Sequence, residues 1–180
     1  MRVIAGKFGS LKLNTLKGDL TRPTLDKVKE AVFSKIQFRL NDAIFVDLYS
    51  GSGSIGIEAI SRGCKKCYLN DLNINAYKVI KENINKLNIT NYKLTNLDYL
   101  NCLNSINEKV NFIYIDPPFL KTDYHKVINN IDQSDLLNSN GLLIVESTKD
   151  IVLNDKYGRL IKDSEKKYGT IKITYYKVGE

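Results

Sequence analysis

From residue 43 onward, short apolar runs alternate with stretches of helical periodicity, and a glycine-rich turn joins the first such pair. This alternation constrains the chain most. Strands are predicted over 44–49, 66–71, 92–95, 112–115 and 141–146, and helices over 54–62, 74–87, 98–106 and 123–131. In the 74–87 segment Ala76, Val79, Ile80, Ile84 and Leu87 fall on one helical face. A helix between successive strands carries the chain back to start a parallel neighbour, so the expected fold is α/β, a doubly wound and mostly parallel sheet. Residues 157–178 form two further strands around a turn at 167–169 with no helix between them, which implies an antiparallel hairpin at one edge.

The first 40 residues differ in kind. Residues 1–13 alternate loosely around Gly6 and Gly9 and predict a short hairpin. Residues 14–23 form a loop ending in Thr21-Arg22-Pro23, with Arg22 biased to an extended backbone by the proline behind it. Thr24 is the expected cap of a helix that places Leu25, Val28, Ala31, Val32 and Ile36 on one face. These 40 residues hold nine basic and three acidic side chains, whereas the other 140 hold 18 and 17. The net charge of +7 is therefore concentrated in the first fifth of the chain, the footprint of a polyanion binder or, more plainly, a solvated basic face. Residues 1–40 are expected to form a basic extension suited to a polyanion and 41–180 the main domain.

A chain of 180 residues buries an adequate core without staples. No apolar run approaches the roughly 20 residues that span a bilayer, and the N-terminus has no long apolar signal region. Three cysteines are too few for a disulfide framework. A cytoplasmic monomer, without membrane or metal partners, is the expectation.

Gly51-Ser52-Gly53-Ser54-Ile55-Gly56 satisfies G-x-G-x-x-G between a strand and a helix, and Asp71 closes the second strand 20 residues after Gly51. Glycines there let the backbone approach a ligand, and the acid accepts hydrogen bonds from a ribose diol. That geometry serves any adenosine-containing cofactor, and a tight turn with no ligand is the bland alternative. Asp47 separates the cases. It lies four residues before Gly51, and the D-x-x-x-G-x-G form is similar to motif I of S-adenosylmethionine-dependent methyltransferases, whereas the dinucleotide fingerprint is normally apolar there.

Asp116-Pro117-Pro118-Phe119 follows an apolar strand and so belongs at the carboxyl edge of the sheet, where α/β folds bind ligands. A rigid Pro-Pro turn with a packed Phe is the structural alternative. The chemical reading explains more. An exocyclic base amine is a poor nucleophile because its lone pair is delocalised into the ring. Asp116 and the Pro117 carbonyl, on a backbone stiffened by two prolines, can accept from the NH₂ group and turn its lone pair toward a methyl donor. Phe119 offers a face for the base, with stacking worth about 1–3 kcal/mol.

The chain resembles the RsmD family over nearly its whole length. The resemblance rests on Arg2-Val3-Ile4-Ala5-Gly6, on the segment from Thr21-Arg22-Pro23-Thr24 to Phe33, on Asp47-Leu48-Tyr49-Ser50-Gly51-Ser52-Gly53, on Gly56 to Gly63, on Asp116-Pro117-Pro118-Phe119 and on Val145-Glu146-Ser147. It implies a class I methyltransferase fold and S-adenosylmethionine-dependent methylation of a guanine N2 amine in small-subunit ribosomal RNA, free or in an assembling particle. It also implies that Asp47, Ser50, Gly51 and Gly53 line the cofactor. Asp71, beside Leu72, falls where the family has its ribose-binding acid, usually Glu. Asp98, before Tyr99, matches the position contacting the adenine amine, and Asp116 to Phe119 match the catalytic motif. Arg22, with Thr24 behind it, matches the segment facing the RNA. The family's Arg-rich run in the N-terminal hairpin is replaced by Gly9-Ser10-Leu11-Lys12, so Lys7 and Lys12 would have to supply those contacts without the guanidinium fork.

The remaining polar signals are weak. Cys64-Lys65-Lys66-Cys67 lacks a second ligand pair for zinc. His125 has no nucleophile or metal partner in the pattern, and Tyr124 beside it is the better candidate for a contact to the RNA substrate. Rival readings are a DNA adenine-N6 methyltransferase, an NAD-dependent dehydrogenase and a non-catalytic RNA-binding module. The first has no room for a separate DNA-recognition domain, and the second leaves Asp47 and the Asp-Pro-Pro-Phe turn unexplained. The intact Asp116 counts against the third.

Overall fold

The computed structural model describes residues 1–16, 23–118 and 122–179. Eight strands form one sheet in the order β3-β2-β1-β4-β5-β8-β7-β6. They are β1 (Ile44–Asp47), β2 (Lys66–Asn70), β3 (Tyr92–Thr95), β4 (Val110–Ile115), β5 (Leu137–Thr148), β6 (Lys156–Tyr157), β7 (Leu160–Tyr168) and β8 (Ile171–Val178). The first five run parallel, and β8, β7 and β6 continue the sheet antiparallel. Both the doubly wound sheet and the closing antiparallel hairpin are as the sequence predicts.

Among the described residues five α-helices cover the two faces: α1 (Pro23–Ile36), α2 (Ser54–Ser61), α3 (Ile74–Lys86), α4 (Tyr99–Asn104) and α5 (Tyr124–Ser134). Strand residues alternate between two cores because successive side chains point to opposite faces. Phe45, Leu69, Phe112, Tyr114 and Ile144 join α1, α2 and α3, while Val46, Tyr68, Ile113, Ile115 and Val145 join α4 and α5. The N-terminal segment shares the first of these cores through Val3, Leu13, Val28, Val32, Phe33 and Ile36. Phe33 stacks on Phe45 and Phe45 meets Phe112 at a tilt, with centroids 6.0 and 5.9 Å apart, a line running from α1 into the sheet.

The first residues pair as an antiparallel hairpin, with Val3 N–H donating to Leu11 C=O and Ser10 N–H to Val3 C=O. Its turn lies against the end of α2. A Cβ on Gly6, whose φ is +81°, would stand 1.9 Å from the Ser61 carbonyl oxygen, so only glycine fits. Burial of Glu58 explains the docking. Its carboxylate is fully buried and accepts from Ile4 N–H (2.7 Å), Ala5 N–H (3.0 Å) and Arg62 Nε (2.7 Å), with Lys29 Nζ at 3.5 Å.

Three local expectations shift. Helix α1 starts at Pro23, so Thr24 lies in its first turn and is not its cap; the fixed φ of proline suits that first position. Strand β5 extends from Leu137 to Thr148, because an irregularity between Val110 and Phe112 lets its early part pair with β4 as well. The two-residue β6 was not foreseen; Lys156 and Tyr157 pair only with Ile161 and Leu160.

Candidate active site

Strand order reverses between β1 and β4: from β1 the sheet grows one way to β2 and β3, and from β4 the other way to β5. Loops leaving the carboxyl ends there diverge to opposite faces and open a crevice, the usual ligand site of such sheets. Here the crevice is a cleft of about 1200 Å³ whose lining includes Asp47, Gly51, Asp71, Asp116, Pro117 and Glu146. The residues after β1 and those after β4 therefore meet in one space.

The β1 side is built from backbone. Gly51 (φ +55°) and Gly53 (φ +79°) adopt left-handed conformations. A Cβ on Gly51 would meet nothing within 4 Å, which leaves its peptide open to the cleft, whereas Gly53 caps α2. Asp47 is 1% exposed and accepts the Gly56 N–H at 2.9 Å. That bond needs α2 close to the sheet, and a Cβ on Gly56 would stand 2.6 Å from Leu69 Cδ2. Burial pushes the Asp47 carboxyl up to about 7, against the Gly56 hydrogen bond that favours its ionised form. Asp71 receives Gly51 N–H on one oxygen and Asn73 N–H on the other, both at 2.8 Å. Beneath them, buried Asn70 donates to Leu48 C=O and Leu97 C=O and accepts from Thr95 Oγ1 and Leu97 N–H. One amide thus ties together the loops after β1, β2 and β3. Ser50 Oγ donates to the Asp47 carbonyl and accepts the Asn70 N–H.

The β4 side is short of donors. No described residue donates a hydrogen bond to the half-buried carboxylate of Asp116, which lines the cleft. Burial holds this carboxyl well above the usual range, and the neighbouring acids Glu146 and then Asp47 add to the effect. Glu146, on β5, receives a short hydrogen bond from Tyr114. Tyr124 is buried, and its hydroxyl is the one sealed side-chain polar atom without a partner among the described residues.

The other expected residues separate into groups. Tyr49 and Tyr99 stack at 6.2 Å between centroids and both line the cleft, as does Leu72, which is 70% exposed. Asp98 does not line it: its carboxylate caps α4 by accepting the Asn101 N–H at 3.0 Å, and this bond holds it below the usual range. Lys7 and Lys12 are exposed on the hairpin. Arg22, Phe119 and the side chain of Thr24 lie outside the described residues. Cys64 and Cys67 are buried in the core, and among the described residues no three acid, histidine or cysteine side chains are disposed to hold a metal ion. His125 is exposed on α5, with Nδ1 2.6 Å from the Tyr157 hydroxyl.

Sequence reasoning passed over Lys29, Asn70, Tyr114 and Glu146 as functional residues. Lys29 is buried beside the cleft and donates to Arg2 C=O and Ser54 Oγ (2.9 Å). A signal for Glu146 was present: a lone carboxylate at the inner end of the apolar run Leu142–Val145.

A doubly wound sheet with an acid-and-glycine turn at the switch point and Asp-Pro-Pro directly after the adjacent strand defines a class I methyltransferase. The family model described as Conserved hypothetical protein 95 matches residues 1–177, and the chain belongs to that family. It is similar to the Bacillus subtilis (strain 168) protein YlbH, at 30% identity over 98% of both chains. It is also similar to ribosomal RNA small subunit methyltransferase D of Haemophilus influenzae, at 30% identity over 83% of this chain and 80% of the relative. Among solved structures, the Escherichia coli protein yhhF superposes with a TM-score of 0.89 at 26% identity, covering 99% of this chain and 98% of that one. The resemblance to RsmD in the sequence thus holds along the chain. No helix among the described residues is long and apolar enough to cross a membrane.

Proposed function

We propose that this methyltransferase acts on the exocyclic N2 amine of a guanine in small-subunit ribosomal RNA, with S-adenosylmethionine as methyl donor. The observation that carries the reading is Asp116: an acceptor to which no described residue donates, lining the same cleft as the Gly51 turn. The relatives named ribosomal RNA small subunit methyltransferase D support the choice of substrate.

The residues suit that donor. A sulfonium cation matches a floor of carboxyl groups held protonation-prone by burial, since positive charge nearby restores their ionised form. When bound, the cofactor supplies an electrophilic methyl carbon. Gly51 leaves room for close approach, and both Asp71 oxygens keep lone pairs for ribose hydroxyls after accepting from Gly51 and Asn73. Ser50, Leu72 and Tyr99 complete this half, while Gly53 sets the turn.

In the other half, Asp116 and the Pro117 carbonyl accept from the base amine, with Pro118 stiffening the turn and Phe119 offering a stacking face. With the donor bound, an amine held this way would form the new N–C bond as the carbon–sulfur bond breaks and its electron pair passes to sulfur. The surplus proton on nitrogen then leaves to Asp116 or to water. Placement of the reactants, rather than covalent help from the protein, supplies the acceleration. The target amine is poorly reachable within a stack, so the guanine enters unpaired or flipped. Lys7, Lys12, Arg22 and Thr24 are assigned to the RNA-facing extension and Tyr124 to the substrate side.

The test is methyl transfer by the purified protein to undermethylated small-subunit particles, free small-subunit rRNA and duplex DNA, with mass mapping of the product. N2-methylguanine at one rRNA position is expected. Methylated adenine in DNA, or no transfer to any RNA, would overturn the reading.

A further inference from the structure

Glu146 is unused so far. It is 5% exposed, and its neighbours Leu142, Leu143, Ile144 and Val145 are all buried and apolar. Ile115 of β4 pairs with Val145 of β5, so Asp116 and Glu146 occupy the next register position on adjacent parallel strands. Tyr114 and Ile144 face the core shared with α1, and two residues further along each strand Asp116 and Glu146 face the same way. On the other side of β4, Asp47 pairs with Tyr114. Three carboxylates therefore lie on one face of adjacent strands, Asp116 and Glu146 level with each other and Asp47 two residues behind. Asp47 lies on β1, which leads into the glycine turn; Glu146 lies on the far side of Asp116, where it pairs with Ile173 of β8.

The two oxygens of Glu146 differ. Oε2 takes the Tyr114 hydroxyl, which fixes the carboxylate. Oε1 receives no hydrogen bond from a described residue, and Glu146 lines the cleft. Burial raises the Glu146 carboxyl, opposed by the Tyr114 hydrogen bond. A buried acceptor left open is unfavourable unless a ligand supplies the donor. The far half of the cleft thus presents two adjacent acceptors, Asp116 and Glu146.

Amino-bearing bases differ at the ring nitrogen beside the amine. Guanine carries N1–H, a donor, next to its N2 amine. Adenine and cytosine carry a lone pair at N1 and N3 next to theirs. We propose that Glu146 is the base-specificity residue, accepting the guanine N1–H through Oε1 while Asp116 and the Pro117 carbonyl hold the N2 amine. This rests on the guanine-N2 reading above and deepens it. A charge-assisted bond to N1–H also draws that proton away from the ring, which returns electron density to N2 and makes it a better nucleophile. An adenine or cytosine ring would set its lone pair against the Glu146 oxygen and leave both unpaired.

The experiment uses RNA substrates carrying either guanine or 2-aminopurine at the mapped position. 2-Aminopurine keeps the 2-amine but has a lone pair at N1. The wild-type enzyme is expected to favour guanine in kcat/KM by about 10- to 100-fold, the range of one lost specific base contact. In Glu146→Gln the carboxamide can donate to that lone pair, so the preference is expected to shrink to about parity or invert. The fluorescence of 2-aminopurine gives a binding readout independent of turnover: Glu146→Gln is expected to bind the 2-aminopurine RNA more tightly than wild type does. Tyr114→Phe, which releases Glu146 without removing it, should lower the preference by a smaller factor and guards against a folding failure in the Gln variant. Equal loss on both substrates in Glu146→Gln, with the preference intact, would reduce Glu146 to a structural role and overturn the proposal. Wild-type failure to methylate any guanine RNA is a different result; it removes the functional reading and this proposal together.

Discussion

Replacing Asp47 by Asn tests whether the cleft is built for a cation at the expense of stability. Asp47 is buried, and its carboxyl rises from an ordinary 3.8 to about 7. The sign follows from linkage. Below pH 3.8 the group is protonated in folded and unfolded chains alike, and nothing is lost. Between about 4 and 7 the folded chain holds the proton more tightly, so stability falls as pH rises, and above 7 the full penalty applies. The rise corresponds to a ceiling of about 4 kcal/mol, of which about 2–3 kcal/mol accrues between pH 5 and pH 8. Asn cannot ionise, and its side-chain oxygen still accepts the Gly56 N–H that Asp47 accepts at 2.9 Å. Ligand-free Asp47→Asn is therefore expected to gain on wild type by about 5–10 °C in melting temperature between those two pH values. The same variant should bind S-adenosylmethionine about 10-fold more weakly, having lost a charged acceptor. Calorimetric melts of both proteins at pH 5 and pH 8 provide the measurement. A stability gap that stays constant or narrows as pH rises would refute the reasoning.

Other substitutions probe the scaffold and the RNA face. Glu58→Ala leaves Lys29 without its buried counter-charge and frees Ile4 and Ala5 N–H; a loss of about 3–5 kcal/mol in urea unfolding is expected, with faster proteolysis in residues 1–13, and unchanged stability would contradict it. Gly56→Ala forces a Cβ against Leu69 and should lose about 1–3 kcal/mol together with cofactor affinity. Gly51→Ala meets no atom, so only its left-handed backbone is strained, and cofactor affinity should fall more than stability does. Arg22→Ala, and Lys7 with Lys12 to Ala, should weaken RNA binding and flatten its salt dependence while sparing cofactor affinity; an unchanged salt slope would remove them from the RNA surface.

Local pattern made most of the sheet legible. Runs such as Phe112-Ile113-Tyr114-Ile115 announce buried strands, and Gly51-x-Gly53-x-x-Gly56 announces the turn because backbone conformation there depends on its own residues. Asp47 and Asp116 were legible for the same reason: each ends or directly follows an apolar strand, and parallel sheets bring such ends together. What escaped depends on partners far along the chain. Asn70 is ordinary in sequence and becomes a hub only when β1 and β3 flank β2. Lys29 and Glu58 look like solvated charges on helices until the hairpin folds over them. Asp98 has a local part that its position beside Tyr99 did not announce: its side chain caps α4 by accepting the Asn101 N–H. Thr24 looked like a cap, but the constrained proline before it had already begun the helix.

Asp116 is the residue assigned to hold the reacting amine, and Asp116→Ala tests that assignment most directly. Methyl transfer to small-subunit particles and calorimetric binding of S-adenosylmethionine should be measured on the same preparation. Transfer is expected to vanish while cofactor affinity stays within a few-fold of wild type. Transfer that persists, or falls only in proportion to a loss of cofactor affinity, would contradict the assignment of Asp116 to the amine.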